Sequence, residues 1–229
     1  MTRGEDTLHS WTARRILRLR NSDFHEIGSW MGLVAAIFAA MILAGCGAAR
    51  PSKYYQLTVP GIQSGAQTAD PMPATILLGP LLASHLYRED RIVYSSGGEQ
   101  MGTYEYQRWA EPPTEMIQMV LLRELRASGR YKAVYAQRST SNGDFLIRGR
   151  LYDFKEVSGG SILAKVTFEL EMRELKSGST VWTHYYSHDE PVTGKDVPAV
   201  VAALNKNVQN GITEVLASLD RHFAEHPFK

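Results

Sequence analysis

The C-terminal third of the chain carries two hydrophobic patterns of different period. Between Ile162 and Glu174, apolar residues alternate with charged and hydroxyl residues, which predicts a strand with one buried and one solvated face. A polar, glycine-containing turn at 176–179 then leads into a β-rich segment at 180–186, so a long antiparallel hairpin is predicted. After this hairpin the apolar residues recur at helical spacing, which predicts a final helix at about 197–225 with one buried face. Its apolar stripe comprises Val201, Leu204, Val208, Ile212, Val215, Leu216, Leu219 and Phe223.

A second amphipathic helix is predicted at about 113–128. Pro112 and Pro113 favour a helix start, Thr114 is the expected N-cap, and Gly129 is a typical stop. Other β-rich runs between Gly- and Pro-containing turns predict further strands. These are expected at residues 54–59, 75–78, 92–94, 103–106, 131–135 and 145–154. Together the elements indicate an α+β fold: a single compact domain whose mostly antiparallel sheet is packed by two amphipathic helices.

The N-terminal region has the pattern of a secretory signal. Four arginines between residues 14 and 20 precede an uncharged apolar run at 27–44, and small residues then lead to the only cysteine. The segment Leu43-Ala44-Gly45-Cys46 resembles a bacterial lipobox, whose cysteine receives a diacylglycerol thioether, becomes the mature N-terminus and is N-acylated, for example with palmitate. The resemblance implies a signal peptide at 1–45, a lipid anchor at Cys46, a tether at 46–53 and a domain at 54–229.

Two alternatives concern the anchor and its membrane. An uncleaved inner-membrane helix is the alternative to lipidation, because about 18 uncharged residues lie at the lower edge of spanning length. In lipoproteins of the usual Gram-negative type, Asp after the lipidated cysteine favours retention in the inner membrane, and Gly47 stands there in this chain. We therefore expect an outer-membrane lipoprotein that faces the periplasm, with the inner membrane as the alternative.

The charge balance argues against a nucleic-acid partner. Of the 25 basic and 24 acidic residues, five and four precede Cys46, which leaves 20 of each in the mature region. A nucleic-acid-binding domain normally carries a clustered basic excess, and a polybasic lipid-surface binder does too. Neither excess is present in the sequence, so no nucleic-acid partner is expected.

No residue pattern indicates an enzyme. The sequence lacks glycine-flanked nucleophile and phosphate-binding motifs, and its one cysteine lies in the lipobox. His184 and His188 are expected at the exposed end of the hairpin, about 13 Å apart along a strand, which is too far to share a metal ion. His222 and His226 lie one helical turn apart but lack an evident third ligand. We therefore expect no catalytic site, no metal and no cofactor besides the lipid attached covalently to Cys46.

Aromatic residues are concentrated in the strands predicted for the N-terminal half. Such residues commonly fill a sheet core or form cross-strand pairs, and they are also enriched in protein-binding faces. Both interpretations are open for this set, which comprises Tyr54, Tyr55, Tyr104, Tyr106 and Trp109.

The order of these motifs resembles one protein family. The lipobox is followed within ten residues by Tyr54-Tyr55-Gln56-Leu57, and a tyrosine-rich strand later leads through Arg108-Trp109-Ala110-Glu111-Pro112-Pro113 into a helix. This order is similar to that of the ABC-type transport auxiliary lipoproteins, the PqiC-like family, over essentially the whole mature chain. The resemblance implies a compact α+β domain without a catalytic site. It also marks a set of residues as structurally or functionally important, namely Tyr54, Tyr55, Arg108, Trp109 and Glu111.

The same resemblance implies a partner. Members of the family accompany ABC transporters that contain MCE-domain proteins, which move lipids between the inner and outer membranes with energy from a separate ATPase. The implied role is a non-catalytic accessory subunit that docks or accepts lipid transport at the outer membrane. Its partners would be the membrane and an MCE-domain protein, with homo-oligomer formation left open. The alternative is a structural envelope-integrity lipoprotein that is unconnected to a transporter.

Overall fold

An eight-stranded sheet organises the domain in the computed structural model. The structure describes residues 50–61, 71–97, 99–138 and 142–228, and also Val34. The strands are β1 (Lys53–Tyr55), β2 (Met72–Ala83), β3 (Arg91–Ser95), β4 (Met101–Trp109), β5 (Tyr131–Ala136), β6 (Phe145–Ser158), β7 (Ile162–Glu174) and β8 (Thr180–Pro191). Within the unit at 51–229, the helices are α1 (Pro113–Ala127) and α2 (Val197–Glu225), and a 3-10 turn covers His85–Tyr87.

Strand β6 is the centre of the sheet. One of its edges pairs with β7 in antiparallel register along its length, whereas the other edge is shared between two parallel partners. Residues 145–151 pair with β2, and residues 155–157 pair with β3. The partner of this edge changes from β2 to β3 at a bulge between Leu151 and Asp153. A bulge bends a strand and increases its local twist. The sheet therefore branches, with β5 beyond β2 and with β4 and β1 beyond β3.

The predicted α+β fold with a mostly antiparallel sheet is confirmed. The longest ladders are β6–β7 and β7–β8, and both are antiparallel, as is the pairing of β3 with β4. Parallel pairing joins β1 to β4, β2 to β5, and β6 to both β2 and β3. These parallel partners are distant in the chain, so no local pattern in the sequence indicated them.

Helix α2 packs on one face of β7 and β8. Gly211 permits this close approach, because a Cβ at that position would lie 2.9 Å from ring carbons of both Phe168 and Tyr186. The apolar stripe predicted from the sequence faces the sheet and is largely buried. Its members without exposed surface are Leu204, Val208, Ile212, Val215 and Leu219. The interpretation of this helix as a core element is therefore confirmed.

One completely buried amide also fixes α2 on the hairpin. The Nδ2 of Asn207 donates to the carbonyl oxygens of Ala164 at 2.8 Å and of His188 at 2.9 Å. Its Oδ1 accepts a hydrogen bond of 2.6 Å from the Tyr186 hydroxyl. Burial of an amide is costly unless its hydrogen bonds are made, and here both ends of the side chain have partners. Asn207 therefore sets the position of α2 on β7 and β8.

Asn205 and Lys206, which precede Asn207 in α2, form hydrogen bonds with other segments of the domain. Asn205 Oδ1 accepts from the backbone N–H of Thr58 at 3.1 Å, which attaches the chain after β1 to the helix. Lys206 Nζ donates to Glu190 Oε1 at 2.6 Å, which attaches the end of β8. One turn of α2 thus contacts three separate parts of the domain.

Helix α1 begins without the side-chain cap that the sequence predicted. Pro112 occupies the N-cap position and makes no side-chain cap hydrogen bond. The prediction of Thr114 as N-cap is wrong, because the helix already begins at Pro113 and Thr114 lies buried within the first turn. The helix ends at Ala127, and Gly129 just beyond it has φ of 62°, as expected for a glycine that terminates a helix.

Strand β1 is shorter than predicted because its partner strand ends. The prediction extended to residue 59, but β4 ends at Trp109 and the N–H of Ala110 donates to the carbonyl oxygen of Tyr55 at 2.7 Å. The chain then leaves the ladder. Leu57 and Val59 are nevertheless buried, so their hydrophobic pattern reflects the core and not a strand.

Six strands extend beyond their predicted bounds: β2, β4, β6 and β8 by four or more residues, and β3 and β5 by one or two. Strand β8 continues to Pro191 because β7 offers a partner as far back as Leu163. His184 and His188 consequently lie within the strand, and the prediction that they occupy its end is wrong.

Candidate functional site

Most residues that the sequence marked come together where β1 lies beside the end of β4. The two strands are parallel, with Tyr54 opposite Arg108 and Tyr55 opposite Trp109. Glu111 follows in the turn before α1. We call this region, residues 53–55 and 107–111, the β1–β4 corner.

Trp109 is the buried anchor of the corner. Only 1% of the residue is exposed, and its ring packs against Phe154 with centroids 5.3 Å apart. Its indole Nε1 is buried, and no described residue accepts a hydrogen bond from it. An unmade hydrogen bond of this kind costs about 1–3 kcal/mol, which is offset here by the large apolar surface of the ring. For Trp109, the core interpretation of the aromatic set is the correct one.

Arg108 and Trp109 both attach β4 to the loop before β3. The guanidinium of Arg108 pairs with the Asp90 carboxylate at 2.8 Å, and the Trp109 N–H donates to the Asp90 carbonyl oxygen at 2.6 Å. The ion pair is partly exposed, so its net contribution to stability is modest. Arg108 therefore has a positioning role, since it orients the end of β4.

Tyr55 bonds within the corner and lies near the start of α2. Its hydroxyl donates to Gln107 Oε1 at 2.7 Å. Burial, and to a smaller extent the nearby Asp196 carboxylate, raise the pKa of Tyr55. Asp196 is the N-cap of α2 and accepts from the Ala199 N–H at 3.2 Å. The phenol thus remains a neutral donor beside a helix N-terminus.

Among the corner residues that the sequence marked, Tyr54 and Glu111 are the two that are exposed. Tyr54 is 64% exposed, and Glu111 lies on the surface of the turn. Tyr54 belongs to the smaller part of the aromatic set that does not fill the core, and a free phenol ring is a common anchor in protein interfaces.

The remaining marked tyrosines lie on β4, outside the corner. Tyr104 is partly buried and donates to Glu156 Oε2 at 2.7 Å. Burial and this hydrogen bond raise the pKa of Tyr104. Tyr106 lies nearer the surface, and its hydrogen bond to Glu105 raises its pKa. Tyr104 consequently belongs to the sheet interior, where it connects β4 to β6.

The candidate histidines take part in packing. The ring of His184 stacks on Trp182 with centroids 5.8 Å apart, and burial lowers its pKa, an effect that Glu214 partly opposes. His188 Nε2 lies 3.6 Å from Glu190 Oε2. His222 and His226 stack on each other at 4.8 Å. Across the described ranges, no group of three His, Cys, Asp or Glu side chains is arranged to hold a metal ion.

Two concave surfaces lie away from the corner. A groove of about 490 Å³ runs over the face of the sheet opposite α2, between Leu82, Arg150 and Tyr152. A second hollow of about 350 Å³ lies at the end of α2, beside Tyr131 and Phe223. The sequence did not mark either surface, although Tyr152 stands at the β6 bulge and is 44% exposed.

The lipidation site lies outside the described residues. This applies to Cys46 and to Leu43, Ala44 and Gly45, which together carry the lipobox resemblance. In the part of the chain that the structure does describe, no helix is both long and apolar enough to cross a membrane.

A family model decides the affiliation of the chain. The model of the ABC-type transport auxiliary lipoprotein component matches residues 55–215, from the β1–β4 corner to the middle of α2. The chain belongs to this family. The resemblance seen in the motifs is therefore confirmed, and the protein is a transport auxiliary lipoprotein of a membrane-anchored class. No curated protein matches the chain.

Solved structures similar to this auxiliary lipoprotein support its fold. Protein XCC0632 from Xanthomonas campestris, of family DUF330, is 18% identical with a TM-score of 0.63, over 72% of this chain and 92% of its own. Lipoprotein GNA1162 from Neisseria meningitidis is 12% identical with a TM-score of 0.37, over 62% and 99%. The PelC dodecamer from Paraburkholderia phytofirmans is 11% identical with a TM-score of 0.41, over 64% and 91%. Of these three, the first supports the fold, and the low TM-scores of the others carry no argument.

Two substitutions in the corner distinguish the structural role of buried Trp109 from the surface position of Tyr54. Trp109→Ala is expected to lower the free energy of unfolding of the auxiliary lipoprotein by about 3–5 kcal/mol, because it removes a fully buried ring. Tyr54→Ala is the matched control one ladder position away, and it should change stability by less than about 0.5 kcal/mol. Urea unfolding followed by circular dichroism measures both. If both variants lost the same free energy of unfolding, the assignment of Trp109 as the buried anchor and Tyr54 as an exposed residue would be contradicted.

Proposed function

We propose that this auxiliary lipoprotein is a non-catalytic subunit of an MCE-type ABC transport system that docks or accepts lipid at the outer membrane. The match of the family model to residues 55–215 is the observation that carries the proposal. It covers Tyr55 and the β4 side of the corner, both branches of the sheet, α1 and most of α2. The MCE partner follows from the resemblance in the order of motifs around Tyr54-Tyr55 and Arg108-Trp109.

The distance between the proposed anchor and the fold supports a position close to the membrane. Strand β1 begins at Lys53, which is seven residues after Cys46. A fully extended chain spans at most about 3.6 Å per residue, so the tether reaches no further than about 25 Å. Two or three acyl chains on Cys46 would hold such a domain stably at the bilayer surface. The β1–β4 corner, with the exposed ring of Tyr54, would then lie on the side of the domain nearest the tether.

The proposal assigns no reaction to the domain. Three polar side chains make structural contacts: Asn207 fixes α2, Tyr104 joins β4 to β6, and the Trp182 indole donates to Ser218 at 3.0 Å. Burial lowers the pKa of His184, which disfavours its charged form. These features support a scaffold that presents surfaces to partners.

The anchor is tested on the mature protein isolated from membranes. We expect mass spectrometry to find a chain that begins at a triacylated or diacylated Cys46, and density-gradient fractionation to place it in the outer membrane. Cys46→Ser is expected to block both acylation and signal cleavage. An unmodified cysteine within an intact chain from Met1 to Lys229 would contradict lipidation and favour a retained inner-membrane helix.

The transport role is tested by partner identification after mild cross-linking. The full-length lipoprotein with a C-terminal affinity tag is expected to copurify with an MCE-domain protein from membranes of its own source. A tagged outer-membrane lipoprotein of another family, expressed to the same level, serves as the control. Recovery of envelope scaffold proteins without any MCE-domain protein would contradict the proposal and favour the structural envelope role.

A further inference from the structure

Strands β1, β5 and β8 form the edges of the sheet. Their outer edges differ in how far they are protected from pairing with another strand. The unpaired N–H and C=O groups of an edge strand can bind another strand, so proteins usually shorten, charge or cover such edges. Strand β1 has three residues. Strand β5 has six, contains Lys132, and the carbonyl oxygen of Val134 accepts a hydrogen bond of 2.9 Å from Arg126 Nε of α1. Both of these edges are therefore blunted.

Over residues 181–188, the edge of β8 has none of these protections. It is twelve residues long, and among the described strands it pairs with β7 alone. Residues 181–188 contain no Lys, Arg, Pro or Gly. On the helix side, Trp182 donates to Ser218 and Tyr186 donates to Asn207, so β8 is held in an extended form from behind. An edge that is already rigid loses little conformational entropy when it pairs.

We propose that a second copy of this chain pairs with β8, as an antiparallel β8–β8 ladder about a twofold axis at Tyr185. This contact has the same surface on both subunits, as a closed twofold interface requires. The sequence of β8 is self-complementary in this register. Tyr185, which is 63% exposed, faces its own copy, and Thr183 faces Ser187 of the partner subunit. Aromatic pairs and hydroxyl pairs both stabilise cross-strand contacts.

Charges in the same register do not oppose the pairing. Asp189 would face Val181 of the partner subunit, and Glu190 would face Thr180 of the partner subunit. No two like charges are directly opposite each other along the twelve residues of the strand. Like charges in that position would destabilise the ladder, so their absence favours a second copy as the occupant of this edge.

The helix layer leaves room for the second subunit. Helix α2 packs over β7 and β8 alike. With strands about 4.8 Å apart, the twofold axis would place the two α2 axes about 10 Å from each other, close to the usual distance between packed helices. The flank of α2 beside β8 carries charges of both signs, from Lys206 and Glu214. The two α2 helices of the dimer would therefore not face each other with charges of only one sign.

The test uses the domain from Ala48 to Lys229. Every buried residue described in the domain lies at or after Leu57, so this segment retains the whole core and folds without the anchor. It also lacks Cys46, so an introduced cysteine is its only thiol. In sedimentation equilibrium, the unmodified domain is expected to show a concentration-dependent monomer–dimer equilibrium.

Two substitutions at Tyr185 test the ladder itself. Tyr185→Lys places two ammonium groups face to face and is expected to weaken the dimer about tenfold, since an aromatic pair is lost and a repulsion is added. Tyr185→Cys should be joined by a short bis-maleimide cross-linker. The matched controls are Tyr135→Lys and Tyr135→Cys, because Tyr135 is a tyrosine of β5 with 52% exposure at another end of the sheet. Neither control should change the dimer or cross-link.

Several outcomes would overturn the proposal. The domain could be monomeric up to millimolar concentration. The domain could form an assembly that Tyr185→Lys does not weaken. Alternatively, the Tyr135→Cys variant could cross-link as fast as the Tyr185→Cys variant. Unchanged melting temperatures for both Lys variants would show that any loss of dimer does not arise from unfolding. None of these outcomes depends on the transporter partner, so the test is independent of the proposed function.

Discussion

The arrangement of the domain depends on one turn of α2. Asn207 hydrogen-bonds to β7 and β8 from a completely buried position, Asn205 binds Thr58 after β1, and Lys206 binds Glu190 at the end of β8. Successive helical residues point about 100° apart, so these three side chains hold the helix against three different segments. Rotating or sliding α2 by one turn would leave buried polar groups without partners, at about 1–3 kcal/mol for each group. Apolar burial drives the helix onto the sheet, and these hydrogen bonds select its position.

This constraint decides which surfaces are available for function. One face of the hairpin β7–β8 is covered by α2, while the opposite face and the edge of β8 are open. The chain just after the β1–β4 corner is joined to the same helix, because the Thr58 N–H donates to Asn205 Oδ1. The segment that follows the lipobox is thus attached to the element that also holds β8 rigid. A partner or a second copy that binds this domain would meet a preformed surface.

The sequence predicted those features that local patterns determine. The alternation in β7 and the long stripe of α2 each bury one face, so β7 and both helices could be predicted close to their observed bounds, whereas β8 runs five residues further than predicted. The parallel partners of β6 were not predictable, because they depend on contacts between distant segments. Asn207 interrupts an apolar stripe, and a pattern of apolar residues cannot show that an amide there finds three partners. Thr114 was mistaken for a cap because two prolines already fix the start of α1.

The candidate site was predictable in part. The motif residues Tyr54, Tyr55, Arg108 and Trp109 do meet in one corner, because the β1–β4 ladder brings them into register. Their roles could not be separated from sequence: Trp109 is a core anchor and Tyr54 is exposed, yet both are aromatic residues in predicted strands. The exposed groove beside Tyr152 was missed because it arises from a bulge and from a neighbouring strand.

The most direct test of the account is a double-mutant cycle between Asn207 and Tyr186, measured by urea unfolding of the domain. Tyr186→Phe keeps the ring against Phe168 and removes only the hydroxyl, and Asn207→Ala removes the amide. Because the two groups share one buried hydrogen bond of 2.6 Å, we expect a coupling free energy of about 1–3 kcal/mol. Tyr186→Phe combined with Asn210→Ala, at an exposed position of the same helix, should be additive. A coupling below about 0.5 kcal/mol for the first pair would contradict the claim that this amide fixes α2 on the sheet.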